Sequence, residues 1–277
     1  MPAEAIRILI PSPDGAGTST TEATPSAQRT ARMHPSLGNS FGGTVSESTG
    51  NVAGMALLYQ ATLSPTKIEL LQAWVPTQPW SGLSDGSGSD GSDGSAELES
   101  AGAYRFDDPE GEVGVETHLV RAVDGRILHV PVTYRAAPLP GAESFLVGTS
   151  DHSVLGERWV YDACADPVYV SAVATAILRG GTQADIEVMT DAGPRPWEST
   201  TKVTGSGSPD TEVPPLGTVQ PANEGATTVI ETASFTLSVV RQIQPTGEPA
   251  PPGPQETLRG TWPGRETTAL LAYLERR

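Results

Sequence analysis

Apolar and polar residues alternate over EVGVETHLVRAVDGRILHVPVTYR, residues 112 to 135, with the period of two that marks strands. Asp124-Gly125 suits a two-residue type I′ turn, which pairs Val120 with His129 and Val115 with Tyr134. One face of this hairpin then carries Val113, Val115, Leu119, Leu128, Val130, Val132 and Tyr134 as core. The other presents Glu116, His118, His129 and Thr133 to solvent.

The helical period appears twice. In SPTKIELLQAWVP, residues 64 to 76, Ser64 is the expected N-cap and Pro65 the first helical residue. Ile68, Leu71 and Trp74/Val75 share a face until Pro76 stops the helix. In ERWVYDACADPVYVSAVATAILRGG, residues 157 to 181, a short strand leads to a helix capped by Asp166, with Pro167 at its first position and Gly180 at its C-terminus. AYRFDDPEGE, residues 103 to 112, is a strand running into a turn. Asp107-Asp108-Pro109 supplies that turn's chemistry.

Elsewhere the periodicity fades. Residues 11 to 54 are rich in Ser, Thr, Gly and Pro, with Phe41 as their sole aromatic, and cannot bury enough apolar surface to offset the entropy of ordering. A disordered tail is therefore expected over 1–54, and Met33 and Met55 are alternative starts to Met1. Residues 190 to 225 read as a long irregular connection. TTVIETASFTLSVVRQI, residues 227 to 243, resumes strand character in two pieces, and PTGEPAPPGPQ is a Pro-rich linker. LRGTWPGRETTALLAYLE, residues 258 to 275, is a closing hairpin, or a strand and a short apolar element.

Composition agrees with a loop-rich chain. Its 277 residues include Gly 30 and Pro 25, and the apolar share is only 37%, so the foldable part is concentrated in the segments above. The net charge of −16 repels phosphate backbones and anionic lipid, which argues against nucleic-acid and membrane partners. The N-terminal apolar run before Pro11 is too short for a signal peptide, and no 18-residue apolar run exists, so a cytoplasmic protein is expected. With the lone Cys164 and four scattered His, no internal disulfide and no zinc pattern is expected.

Five constellations carry candidate chemistry. In SGLSDGSGSDGSDGS, residues 81 to 95, Gly86, Gly88 and Gly91 have the spacing of a phosphate-binding turn. Three carboxylates, Asp85, Asp90 and Asp93, would repel that ligand, and no helix follows to face it. As a calcium loop starting at Asp85, the stretch has Asp90 where Gly is required and Ala96 where Glu is required, so it reads as a flexible acidic joint. Gly38-Asn39-Ser40-Phe41-Gly42 has nucleophile-elbow spacing without the strand and helix that make an elbow. Glu116, His118 and His129, placed diagonally on one hairpin face, could hold a metal or shuttle a proton, against the plainer role of a solvated face. Trp74, Trp80 and Trp159 could stack on sugar, against the plainer role of core packing. Asp162 and Asp166 flank Cys164, and helix capping accounts for at least one of them. None of these amounts to a catalytic or metal site, and none is expected.

TKIELLQAWVPTQPW, with Trp74, Pro76, Gln78 and Trp80, and VGTSDHSVLGERWVYDACADPVYVSAVATAIL, with Val147, Gly148, Val160, Tyr161, Asp162, Ala163, Asp166 and Pro167, resemble the maltokinase N-terminal cap family. The hairpin and the PLPGAE segment look most like stand-alone members of that family, which occur without a kinase and are often labelled glucan-branching-related proteins. The likeness covers residues 56 to 180 well and 181 to 277 loosely. It implies an α+β protein: a cap domain over 55–180 with a helix packed on an antiparallel sheet, then a β-rich, kinase-N-lobe-like region over 181–277.

In complete maltokinases a further lobe transfers the ATP γ-phosphate to maltose, using a base and magnesium ligands. The sequence holds no H-G-D-type catalytic loop and no magnesium-binding Asp motif after one, so a complete kinase is not expected. If FTLSVVRQI corresponds to the strand bearing the ATP-contacting Lys, that position is Ser238 or a neighbour of it, and Lys202 is the only lysine nearby. ATP is therefore not expected as a cofactor. The likeness implies a non-catalytic accessory or regulatory role beside a protein of α-glucan, maltose or trehalose metabolism. A carbohydrate-binding module for maltooligosaccharide is the alternative.

Overall fold

The computed structural model describes residues 7–10, 56–60, 62–83, 97–190, 193–197, 199–244 and 255–277. The Ser40 motif, most of the acidic joint with Asp85, Asp90 and Asp93, and the Pro-rich linker lie outside them. So does the expected tail, except that Arg7–Ile10 within it forms a strand, β1.

In chain order there follow β2 (Ala56–Gln60), β3 (Leu63–Ser64), α1 (Lys67–Trp74), β4 (Glu99–Phe106), β5 (Gly114–Arg121) and β6 (Ile127–Arg135). Next come β7 (Leu146–His152), β8 (Gly156–Asp162), α2 (Pro167–Arg179), β9 (Ile186–Thr190) and β10 (Gly193–Trp197). The last seven are β11 (Lys202–Gly205), β12 (Gln220–Glu224), β13 (Thr227–Glu231), β14 (Phe235–Val240), β15 (Gln242–Ile243), β16 (Glu256–Trp262) and β17 (Arg265–Arg276).

The fold is α+β and mostly β, as the sequence implies. An antiparallel sheet of order β3-β7-β8-β6-β5-β4 is extended by β15, which pairs with β6. A second antiparallel sheet has the order β11-β16-β17-β14-β13-β12, and β1-β2-β9-β10 form a third. The closing segment is the hairpin β16–β17.

Both faces of the first sheet are covered. On one, Leu71, Trp74 and Val75 of α1 and the turn after it pack with Val120, Leu128, Val130 and Val132. On the other, Tyr169, Val173 and Ile177 of α2 share a core with Val115 and Leu119, and with Leu237, Leu258 and Leu271 of the second sheet. A sheet buried on both faces has no solvent face for polar residues. The expectation that Glu116, His118, His129 and Thr133 look outward is therefore corrected: all four are buried.

The hairpin register is corrected too. Leu119, not Val120, pairs with His129, and Gly114, not Val115, pairs with Tyr134. The loop has three residues, Val123-Asp124-Gly125, closed by bonds from Gly125 N to Ala122 O (2.8 Å) and from Ala122 N to Arg126 O (2.9 Å). Gly125 takes φ +82° there, and Asp124 accepts from Arg126 N, so Asp-Gly serves a bulged turn. A one-residue slip moves residues across the sheet, and it puts His118 and His129 on opposite faces.

The helix boundaries are half as expected. Asp166 caps α2 through Val168 N, Pro167 opens the helix, and Gly180 closes it at φ +66°. For α1 the N-cap is Thr66 rather than Ser64. Its side chain accepts from Glu69 N while Glu69 accepts from Thr66 N at 2.7 Å, a complete capping box. The 190–225 connection is not wholly irregular, since β10, β11 and β12 fall within it.

Candidate functional site

Glu116 projects from β5 toward α1, where Lys67 from the first turn of that helix meets it in an ion pair. His118, two residues on and on the same face, lies 3.8 Å from Glu116 and 3.2 Å from the Tyr134 hydroxyl. The Lys67 ammonium also sits 5.4 Å from the centre of the Tyr134 ring. Arg105 is paired with Glu116 across β4–β5 and adds a second cation on that face. Burial works to raise the Glu116 carboxyl, but Lys67, His118 and Arg105 together hold it at about 2. Burial lowers the Lys67 ammonium, with Glu116 opposing and Arg105 adding to the fall, as expected when one carboxylate serves two cations. Burial also pushes His118 down to about 4, so its imidazole is neutral at neutral pH.

His129 belongs to a different cluster on the other face. Its Nδ1 is 2.9 Å from the Val240 carbonyl oxygen and therefore donates, which leaves Nε2 to accept from the Tyr104 hydroxyl at 2.8 Å. That tautomer is neutral, and burial pushes the group down to about 3. The three polar residues Glu116, His118 and His129 thus never converge as one site. Among the described residues, no group of three or more His, Cys, Asp or Glu is placed to hold a metal ion.

The point of convergence is Arg241, directly after β14 and fully buried. Its Nη2 bonds both oxygens of Asp162, its Nε donates to Thr228 Oγ1 at 2.8 Å, and its guanidinium lies 4.6 Å over the Trp80 ring. Nη2 also lies 3.1 Å from Cys164 Sγ, and Arg241 O accepts from His129 N at 2.8 Å. Burial works against the charged guanidinium, but Asp162, with Cys164 and Tyr169 adding to it, outweighs burial and raises Arg241 above its ordinary range. Burial pushes the Cys164 thiol up, despite the neighbouring cation, so the thiol is inert.

The sequence-motif residues are mostly parts of this packing. Trp80 is fully buried and meets Trp74 edge-on at 5.8 Å. Its carbonyl accepts from Gln242 Nε2 at 2.7 Å, which ties the segment after α1 to β15. Pro76 and Gln78 are half-buried in the turn between the tryptophans, and Gln78 Nε2 donates to Thr77 Oγ1. Tyr161 accepts from Leu139 N through its hydroxyl at 3.0 Å. Asp166 takes two bonds from Arg135 at 2.7 Å and a third from Thr133 Oγ1, while Pro167 starts α2. Trp159 is half-buried. The sugar-stacking idea therefore loses Trp74 and Trp80, whose rings are in the core.

Sequence reasoning missed Lys67 and Arg241. A signal existed for each: a buried charge needs a partner, and Asp162 in the apolar run WVYDACA and Glu116 among apolar strand residues both demanded a cation.

Residues 74–166 match the family model described as the maltokinase N-terminal cap domain. No curated protein matches the chain. Among solved structures, a glucosamine kinase in complex with glucosamine, ADP and inorganic phosphate aligns at 12% identity and TM-score 0.41, covering 77% of this chain and 41% of that one. A glucosamine kinase in crystal form A aligns at 13% identity and TM-score 0.38, with the same coverage. The chain spans about two fifths of the length of those proteins.

Proposed function

We propose that this chain, which carries a maltokinase N-terminal cap over residues 74–166, is a non-catalytic accessory or regulatory protein of α-glucan, maltose or trehalose metabolism. It acts in the cytoplasm by docking on an enzyme of that metabolism. One observation carries the reading: Trp80 and Asp162, which bear the family likeness, are committed to the buried Arg241 node, and Asp166, which bears it too, is buried in a separate ion pair with Arg135. Residues used in that way hold the cap's shape and are withdrawn from solvent and substrate.

Tagged full-length chain, recovered from its native cells and analysed by mass spectrometry, is expected to bring down an enzyme acting on α-glucan, maltose or trehalose. Recovery without any such enzyme overturns the proposal. Pure chain with ATP, magnesium and maltose is expected to form no sugar phosphate, and formation of one would equally overturn it. The carbohydrate-module reading is weaker, since two of its three tryptophans are buried. A shift of Trp fluorescence at millimolar maltooligosaccharide would revive it.

A further inference from the structure

Among the described residues, the outward side of α2 borders an open groove. Val168, Ser171, Ala172, Thr175 and Arg179 recur at helical spacing along one stripe beside the core-facing Tyr169, Val173 and Ile177; Val168 and Ala172 are partly buried against the core's edge, Ser171 is exposed, and Arg179 Nε donates to Thr211 O at 3.2 Å. The stripe forms one wall of a groove of about 590 Å³ whose other wall is the β4–β5 turn, with Asp107, Asp108 and Glu110. Asp108 is occupied, accepting from the backbone N–H groups of Glu110, Glu112 and Val113 at 2.9–3.1 Å. Asp107 and Glu110 are exposed.

We propose that this groove is the docking site for a helical segment of a partner protein that carries Lys or Arg beside small and aliphatic residues. The inference deepens the accessory-protein reading and rests on it. From Val168 to Arg179 the stripe runs eleven steps, roughly 16 Å at 1.5 Å per residue, which suits three turns of a helix better than a small solute. Small side chains at 171, 172 and 175 let a second helix axis approach to about 8–10 Å. Charge selects the occupant. The rim has three carboxylates against Arg179, in a chain of net charge −16, so a second copy of this chain would set acid against acid. Although Asp107 is exposed as a residue, partial desolvation of its carboxyl beside the groove raises it, Arg105 opposes and Asp185 adds to the rise, a balance that an incoming cation would relieve. Sugar is a poor fit, because the groove's one aromatic, Phe106, is buried in the core.

The test is to pan the full chain against a phage-displayed library of amphipathic helical peptides and measure the enriched peptides by calorimetry. Enriched sequences are expected to pair Lys or Arg with an aliphatic stripe. Their Kd should weaken about tenfold or more with Ser171→Trp, which fills the groove from an exposed position, and about threefold or more with Asp107→Asn/Glu110→Gln. Circular dichroism of both variants checks that the fold is kept. No enrichment, peptides that bind both variants undiminished, or self-association of the chain that Ser171→Trp abolishes would each overturn the proposal. If an α-glucan enzyme co-purifies equally with Ser171→Trp, docking lies elsewhere and the accessory reading stands. If the peptides bind as expected and no such enzyme is recovered, the groove stands and the accessory reading falls.

Discussion

Nη2 of Arg241 donates to both carboxylate oxygens of Asp162, at 2.7 and 2.6 Å, from a position with no solvent exposure. The pair joins the end of β8 to the end of β14, and the Trp80 ring closes it from the segment after α1. Removing one partner leaves the other charge buried and alone, which costs about 3–5 kcal/mol. Arg241→Met and Asp162→Asn should each lower the unfolding free energy from urea titration by that amount. The double variant Asp162→Leu/Arg241→Met should recover a good part of it, because no charge is then stranded. Two single variants within about 1 kcal/mol of the parent would refute this account of the node.

The C-terminal end of α2 is finished by a distant segment. Gly207 N and Ser208 N donate to the carbonyls of Ile177 and Leu178 at 2.9 and 3.0 Å, supplying partners for helix-end acceptors. The approach is so close that a Cβ on Gly207 would stand 1.9 Å from Leu178 O. Gly207→Ala must therefore push the segment off the helix, losing these bonds and the packing beside them. A loss of about 3 kcal/mol or more in equilibrium unfolding is expected, against about 1–2 kcal/mol for Gly264→Ala, whose Cβ would meet no atom and which bears only the backbone strain of its φ of +84°.

Those examples show what the sequence carried. The helices were legible because their signals are local: Asp166-Pro167 and Gly180 bracket α2 within one stretch. The β5–β6 hairpin was legible as an element but not in register, because Asp-Gly serves both two- and three-residue loops. One residue's slip then separated His118 from His129. Arg241 and Gly207 were illegible for another reason. Their partners, Asp162 and Ile177, lie 79 and 30 residues away, and nothing local to 205–208 distinguishes a helix-capping segment from a flexible Gly-Ser loop. Buried charges among apolar residues announced that partners exist, without saying which.

The capping box on α1 gives a sharper contrast between neighbours. Thr66 accepts from Glu69 N and is capped in return, whereas Ser64, two residues earlier, is an exposed end of β3. Thr66→Ala should cost about 1 kcal/mol, and Ser64→Ala a few tenths at most. Equal effects in thermal unfolding would contradict the observed cap.

Acid should unfold the protein through its buried histidines. Burial depresses His118 from 6.5 to about 4 and His129 from 6.5 to about 3, so between those values the unfolded chain binds protons that the folded chain refuses. A depressed histidine costs nothing above pH 6.5, and below it stability falls by about 1.4 kcal/mol per pH unit for each group until its folded value is reached. Glu116 adds a second, lower window. Its carboxylate, held at about 2 rather than 4.5, contributes stability above pH 4.5 that is lost as pH falls toward 2. Urea midpoints measured from pH 7 to pH 4 should therefore fall steadily. His129→Gln is the discriminating variant. It should be less stable than the parent at pH 7, where the Tyr104 bond is weakened, yet its decline toward pH 4 should be shallower by about one proton's slope. A decline as steep as the parent's would show that His129 does not carry the acid sensitivity.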